Sequence, residues 1–109
     1  MAIGPANRRS LEELAAAIRE YAEQYEVASP RRNFLEAIAA TVASGRASQR
    51  RAKHGQVEGR YSISRSPNGV LIECDNTIQI GWIEALCRTV KINFLRPHLR
   101  PYERELHLK

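Results

Sequence analysis

The stretch YSISRSPNGVLIEC, residues 61–74, decides the fold class. Tyr61 and Ile63 alternate with Ser62 and Ser64, the period of two expected of a half-buried strand. Val70, Leu71 and Ile72 follow after Ser66-Pro67-Asn68-Gly69. Proline suits the first corner of a type I turn, and a left-handed glycine at 69 would restart the chain. The reading is a β-hairpin.

Upstream the period is helical. Ser10-Leu11-Glu12-Glu13 has the form of a capping box, in which the serine hydroxyl accepts the N–H of Glu13. Leu11, Leu14, Ala15, Ile18, Tyr21, Ala22 and Tyr25 share one face, and Glu12, Glu13, Glu20, Glu23 and Glu26 take much of the rest. This predicts a helix over 10–26. Ser29-Pro30 restarts the chain, with serine as cap and proline in the first turn, and Phe34, Leu35, Ile38 and Val42 supply the next apolar face. That stripe stops before Gly45. Any helical continuation over 46–54 would carry Arg46, Arg50 and Lys53 on one exposed side. Residues 1–9 read as a loose leader.

Downstream of the hairpin, Asp75-Asn76 reads as a second tight connection, with Ile78 and Ile80 in a short third strand. Residues 81–95 admit two readings. As helix, Trp82, Ile83, Leu86, Cys87, Val90 and Phe94 form one stripe; as strand, Val90, Ile92 and Phe94 alternate with Lys91 and Asn93. The longer stripe favours a helix over 82–95, stopped by Pro97. The Pro-interrupted tail, 97–109, offers Leu106 and Leu108 for an edge strand. The expected fold is α+β in one 109-residue domain: an N-terminal helical pair and a C-terminal helix packed on a β-hairpin or three-stranded antiparallel sheet.

Charge is concentrated. The chain carries a net +5, and fourteen of its seventeen basic residues are arginine. Residues 46–65 balance to +5 and residues 88–109 to +4, so the intervening and preceding parts are acidic. Such patterning concerns encounter with a partner more than folding. Metal ligation would need Cys74, Cys87, His54, His98 and His107 to converge, and their spacing matches no structural zinc pattern. Neither cysteine has a histidine nearby in sequence to activate it, and the glycines at 55, 59 and 69 form no phosphate-cradling loop. Expected are two buried free cysteines, no metal, no cofactor and no catalysis. Without a signal peptide or a long apolar run, the chain reads as cytoplasmic and without a membrane segment.

Two binding readings follow. On the helix 82–95 reading, Ile92 and Leu95 lie off the apolar stripe near Arg88. They would form an exposed patch rimmed by Arg88, Arg96 and Arg100, fit for a protein partner, and together with Ile78 and Ile80 they are surplus apolar positions that suggest a homodimer. The alternative is nucleic acid. Arg31 and Arg32 open the second helix where a recognition helix would touch bases, and Arg46, Arg50 and Lys53 would meet phosphates. Five glutamates on the first helix weigh against that alternative.

The layout of RRSLEELAAAIREYAEQYEVASPRRNFLEAIA, a basic link, the 61–74 hairpin and GWIEALCRTVKINFLRP resembles the small pseudomonad quorum-sensing antiactivators of the QslA family. The likeness covers most of the chain and rests on length and element order. It implies a non-enzymatic regulator that binds the ligand-binding domain of a LuxR-type (LasR-like) transcription activator. Such a regulator blocks the activator's dimerisation and hence its DNA binding. No short signature transfers an individual residue.

Overall fold

Local hydrogen bonding starts each helix where a short polar side chain can cap it. In the computed structural model, which describes residues 10–51, 59–95 and 99–108, the Ser10 hydroxyl accepts the Glu13 N–H at 3.1 Å and opens α1, Leu11–Ala22. The helix stops four residues short of the expected end. The Glu23 N–H is shared between the Arg19 and Glu20 carbonyls, a tightening that closes the last turn. Ala28, at φ 67°, then reverses the chain, and Tyr25 leaves the helix axis. The Ser29 hydroxyl accepts the Arg32 N–H and opens α2, Pro30–Ser44. Gly45 ends it in the left-handed region at φ 76°, where a side chain would be strained.

The basic segment beyond Gly45 is not helical. Ser48–Arg50 is strand β1, paired antiparallel with the first arm of the hairpin, and the Thr41 and Ser48 hydroxyls meet at 3.3 Å. The free edge of the hairpin offers backbone donors and acceptors that three residues can satisfy by pairing. Lys53 and the rest of 52–58 lie outside the described residues.

The hairpin itself is β2, Tyr61–Ser66, and β3, Gly69–Cys74, as expected, paired with Ser66 opposite Gly69. Its glycine is needed for a different reason from the one expected. Gly69 does not have positive φ; a methyl group there would sit 1.7 Å from the Leu106 carbonyl oxygen. Close approach of a neighbouring backbone, rather than turn handedness, excludes a side chain.

Asp75-Asn76 leads into a helix, not a third strand. The Asn76 side chain accepts the Gln79 N–H at 3.0 Å and opens α3, Thr77–Val90, which takes in both Ile78 and Ile80. Ile80, Ile83, Leu86, Cys87 and Val90 are buried at helical spacing. The helix then ends five residues before the expected boundary. Lys91 adopts φ 65°, and its N–H and that of Ile92 both reach the Cys87 carbonyl. Asn93–Leu95 is strand β4. Each reading of 81–95 therefore held for part of it.

The tail supplies β5, Glu103–His107, and it is not an edge. The strand order is β1-β2-β3-β5-β4, antiparallel throughout, so β5 inserts between β3 and β4 and completes five strands. The edges are the two three-residue strands, short enough to offer little to another sheet. α1 packs mainly on α2, α2 crosses β1 to β3, and α3 covers β3. Ile18, Phe34, Leu35, Ile38, Ile63, Ile72, Ile83, Leu86 and Leu106 are fully buried between the layers. The class is α+β as expected, with a larger sheet than the hairpin alone predicts.

Candidate docking groove

Shortening α1 and starting α3 early bring Tyr25, Arg31, Ile78 and Trp82 together. They line a hollow of about 660 Å³ between the α1–α2 turn and the first two turns of α3. Pro30, Glu26 and Gly59 complete much of the wall. Gly59 is confined by space: a Cβ there would lie 2.6 Å from the side chains of Asn76 and Gln79. Beneath the hollow, the buried Phe34 ring meets Tyr61 edge-on at 5.0 Å and Trp82 at 5.9 Å. Such aromatic contacts fix ring positions more firmly than aliphatic packing does.

Arg31 is the charged centre of this wall. Its guanidinium carbon lies 4.2 Å from the Tyr25 ring centroid and 5.9 Å from that of Trp82. One terminal nitrogen donates to the Tyr21 hydroxyl at 3.3 Å, and the Tyr21 and Tyr25 hydroxyls are 3.2 Å apart. Burial raises the Tyr25 phenol above its ordinary 10.0, and the hydrogen bond with Tyr21 adds to this; the Arg31 charge opposes both. Ile78, 65% exposed on the rim, and Val27, 74% exposed in the nearby turn, are large apolar side chains left facing solvent. An apolar hollow with an exposed aliphatic rim and one cation can seat an apolar side chain beside a polar anchor.

The patch expected on one face of helix 82–95 does not assemble. Arg88 is exposed on the last turn of α3, but Ile92 is only 6% exposed and belongs to the core. Leu95 lies in β4 opposite Glu105, beyond the end of the helix, and Arg96 lies outside the described residues. Arg100 is exposed and ion-paired with Glu73 at 3.5 Å and Glu103 at 3.6 Å. The helix break at Lys91 separates these positions.

The residues expected to meet nucleic acid are also dispersed. Arg31 stacks on Tyr25, and Arg32 pairs with Glu36 at 3.1 Å while donating to the Tyr25 carbonyl. Arg46 is exposed after α2, and Arg50 stands in β1 opposite Tyr61. Arg50, Arg51 and Arg60 do line a second, polar hollow of about 500 Å³, shared with Glu73 and Asp75. There Arg60 already pairs with Asp75 at 3.6 Å.

Cys74 and Cys87 are buried and not joined in a disulfide, and burial pushes the Cys74 thiol up to about 12, which suppresses thiolate chemistry. His107 stands on β5, whereas His54 and His98 lie outside the described residues. Among the described residues no cluster of His, Cys, Asp and Glu could hold a metal, and no helix is long and apolar enough to cross a membrane.

Sequence reading missed Tyr25 and Trp82 as groove residues because each sits on a helical stripe that also fits a core; it counted Ile78 as a surplus apolar position but placed it in a strand, away from them. One signal was available. Two arginines in the first turn of a helix oppose its dipole, and such a placement asks for a compensating neighbour. No protein-family model, curated protein or solved structure matches the chain.

Proposed function

We propose that this chain is a non-enzymatic regulatory binder of the antiactivator kind, docking through the Tyr25–Arg31–Ile78–Trp82 groove onto the ligand-binding domain of a LuxR-type activator. The observation that supports it is Ile78, an isoleucine 65% exposed in a hollow that it lines together with Tyr25 and Trp82. Exposed apolar surface bordered by polar residues is the ordinary mark of a protein contact. The sequence layout supports the choice of partner. The action is steric: the groove face covers the surface through which the activator would dimerise. An interface of roughly 1,600 Å² suffices for such a complex.

The test is calorimetric titration of the activator's ligand-binding domain with wild-type protein and with Ile78→Asp. A charge in the centre of a desolvated contact is expected to weaken binding at least about a hundred-fold, the scale of an interface hot spot. Circular dichroism should be unchanged, since Ile78 packs little in the free protein. Unchanged affinity in Ile78→Asp, with loss in Arg88→Ala or in Arg100→Ala, would move the interface away from the groove, to the last turn of α3 or to the Glu73 end of the sheet. Tight duplex-DNA binding that collapses between roughly 150 and 500 mM salt, with no affinity for the activator domain, would replace this reading with the nucleic-acid one.

A further inference from the structure

The three helices differ in what their first turns carry. α1 begins with Glu12 and Glu13, which suit the positive end of its dipole. The first turns of α2 and α3 hold no acidic residue, and α2 places Arg31 and Arg32 there instead. Both of these N-termini line the groove through Ser29, Arg31, Asn76 and Ile78. Arg32 is compensated by Glu36. Arg31 is not: among the described residues no carboxylate lies within ion-pair distance of it.

A guanidinium has five N–H donors and no acceptor. Arg31 gives one terminal nitrogen to Tyr21, its Nε is buried without an acceptor, and its other terminal nitrogen makes no hydrogen bond among the described residues. Stacking on Tyr25 holds the plane in place, so the fork is oriented before any ligand arrives. Glu26 lines the same hollow without pairing with Arg31, and would repel a second carboxylate.

From this charge pattern we propose that the groove recognises a segment of a partner protein that presents one carboxylate between apolar side chains. The carboxylate pairs with the free edge of the Arg31 guanidinium, and the flanking apolar side chains lie on Ile78 and Trp82. The inference deepens the docking reading and rests on it. A polypeptide segment fits better than a small acid. The hollow opens to solvent, and the exposed Ile78 rim needs cover from something longer than the hollow itself.

The probe is a display library of random twelve-residue peptides selected on the full chain, followed by synthesis of the enriched peptide. Trp82, the sole tryptophan, stands on the groove wall and reports binding by its fluorescence. Enriched peptides should share one Asp or Glu flanked by Leu, Ile or Phe. Replacing that acid by its amide should cost at least about ten-fold in affinity, as expected for a charge-assisted pair. Arg31→Met should cost as much, Arg31→Lys should cost less, and Arg100→Ala should leave affinity within about two-fold, since Arg100 does not line the groove and exposed charges contribute little. The amide comparison needs no protein variant, so it stands even if Arg31→Met folds poorly. Enrichment of peptides without an acid, equal affinity for acid and amide, or no enrichment at all would overturn the proposal. Acidic peptides that bind through Arg31, combined with no affinity for the activator domain, would refute only the choice of partner and leave the recognition chemistry standing.

Discussion

Arg31 and Arg100 carry the same charge in opposite settings. Arg100 is 78% exposed on its side chain and meets two carboxylates, Glu73 and Glu103, at 3.5 and 3.6 Å. Arg31 is partly buried against two aromatic rings and meets no carboxylate among the described residues. The first is a solvated surface network, screened by salt and worth little to stability or recognition. The second is an oriented cation whose donors are not all used among the described residues. Counting arginines along the chain ranks them the other way, because Arg100 lies in a basic run and Arg31 follows an acidic helix. What an arginine can do is set by what stands around it, and its position in a charge run is a poor guide.

The largest effect should come from the buried ring packed against Trp82, the more distant of Arg31's two aromatic neighbours. Phe34→Ala removes a fully buried ring in contact with Tyr61 and Trp82 and is expected to cost about 3–5 kcal/mol in urea denaturation. Trp82 emission should shift to the red as its wall loosens. A cost below about 1.5 kcal/mol, typical of a conservative core swap, would mean the groove does not depend on this stack.

The stability of the two arginine variants sharpens the contrast itself. Arg31→Met loses a cation–π attraction of about 0.5–2 kcal/mol. It also removes a buried donor without an acceptor, a penalty of about 1–3 kcal/mol. The Tyr21 hydrogen bond, about 0.5–1.5 kcal/mol, is lost as well, so the contributions nearly cancel and the expectation is a protein within about 1 kcal/mol of wild type that has lost its ligand. Arg100→Ala should destabilise by no more than about 1 kcal/mol at low salt, and by nothing measurable at high salt. Loss of more than about 2 kcal/mol in Arg31→Met, beyond the cation–π range, would make Arg31 a structural residue and end the comparison.

The smallest effect is a titration. Burial and the Tyr21 hydrogen bond raise Tyr25, while Arg31 pulls it down, so Arg31→Met should push the phenol higher still. The folded protein then holds this proton more tightly than the unfolded chain. The Tyr25 contribution to stability is complete below 10.0, the ordinary value, and declines as pH rises through the folded value. Ultraviolet titration of the phenolate, compared between wild type and Arg31→Met, reads the shift. A lower Tyr25 value in the variant would show that the guanidinium and the ring do not interact as their 4.2 Å separation indicates.

Much of the fold was legible because much of it is local. The Ser10 and Ser29 caps, the proline at the start of α2, the glycine after it and the 61–74 hairpin each depend on residues within a few positions of one another. The errors came where local signals were in near balance. Ile78 and Ile80 alternate like a strand, but Asn76 caps a helix that absorbs them. The stripe from Trp82 to Phe94 is helical in period, yet Lys91 turns left-handed and Asn93–Leu95 joins the sheet. Ile92 therefore moved from a supposed exposed patch into the core. The candidate site was nearly invisible in sequence, since Tyr25, Arg31, Ile78 and Trp82 belong to three separate segments.

The amino-acid order by itself determined where α1 and α2 begin, where the hairpin turns and which faces of the first two helices are apolar, because caps and periodicities act over a few residues and need no distant partner. Tertiary structure alone decided that β5 inserts between β3 and β4 and that Arg50 lies in a strand. It also decided that Arg31, among the described residues, has no carboxylate of the kind Arg32 has one position away. Strand pairing answers to whichever backbone edge is free in space, and the surroundings of a charge answer to whichever side chains packing brings near it. Neither is a function of distance along the chain.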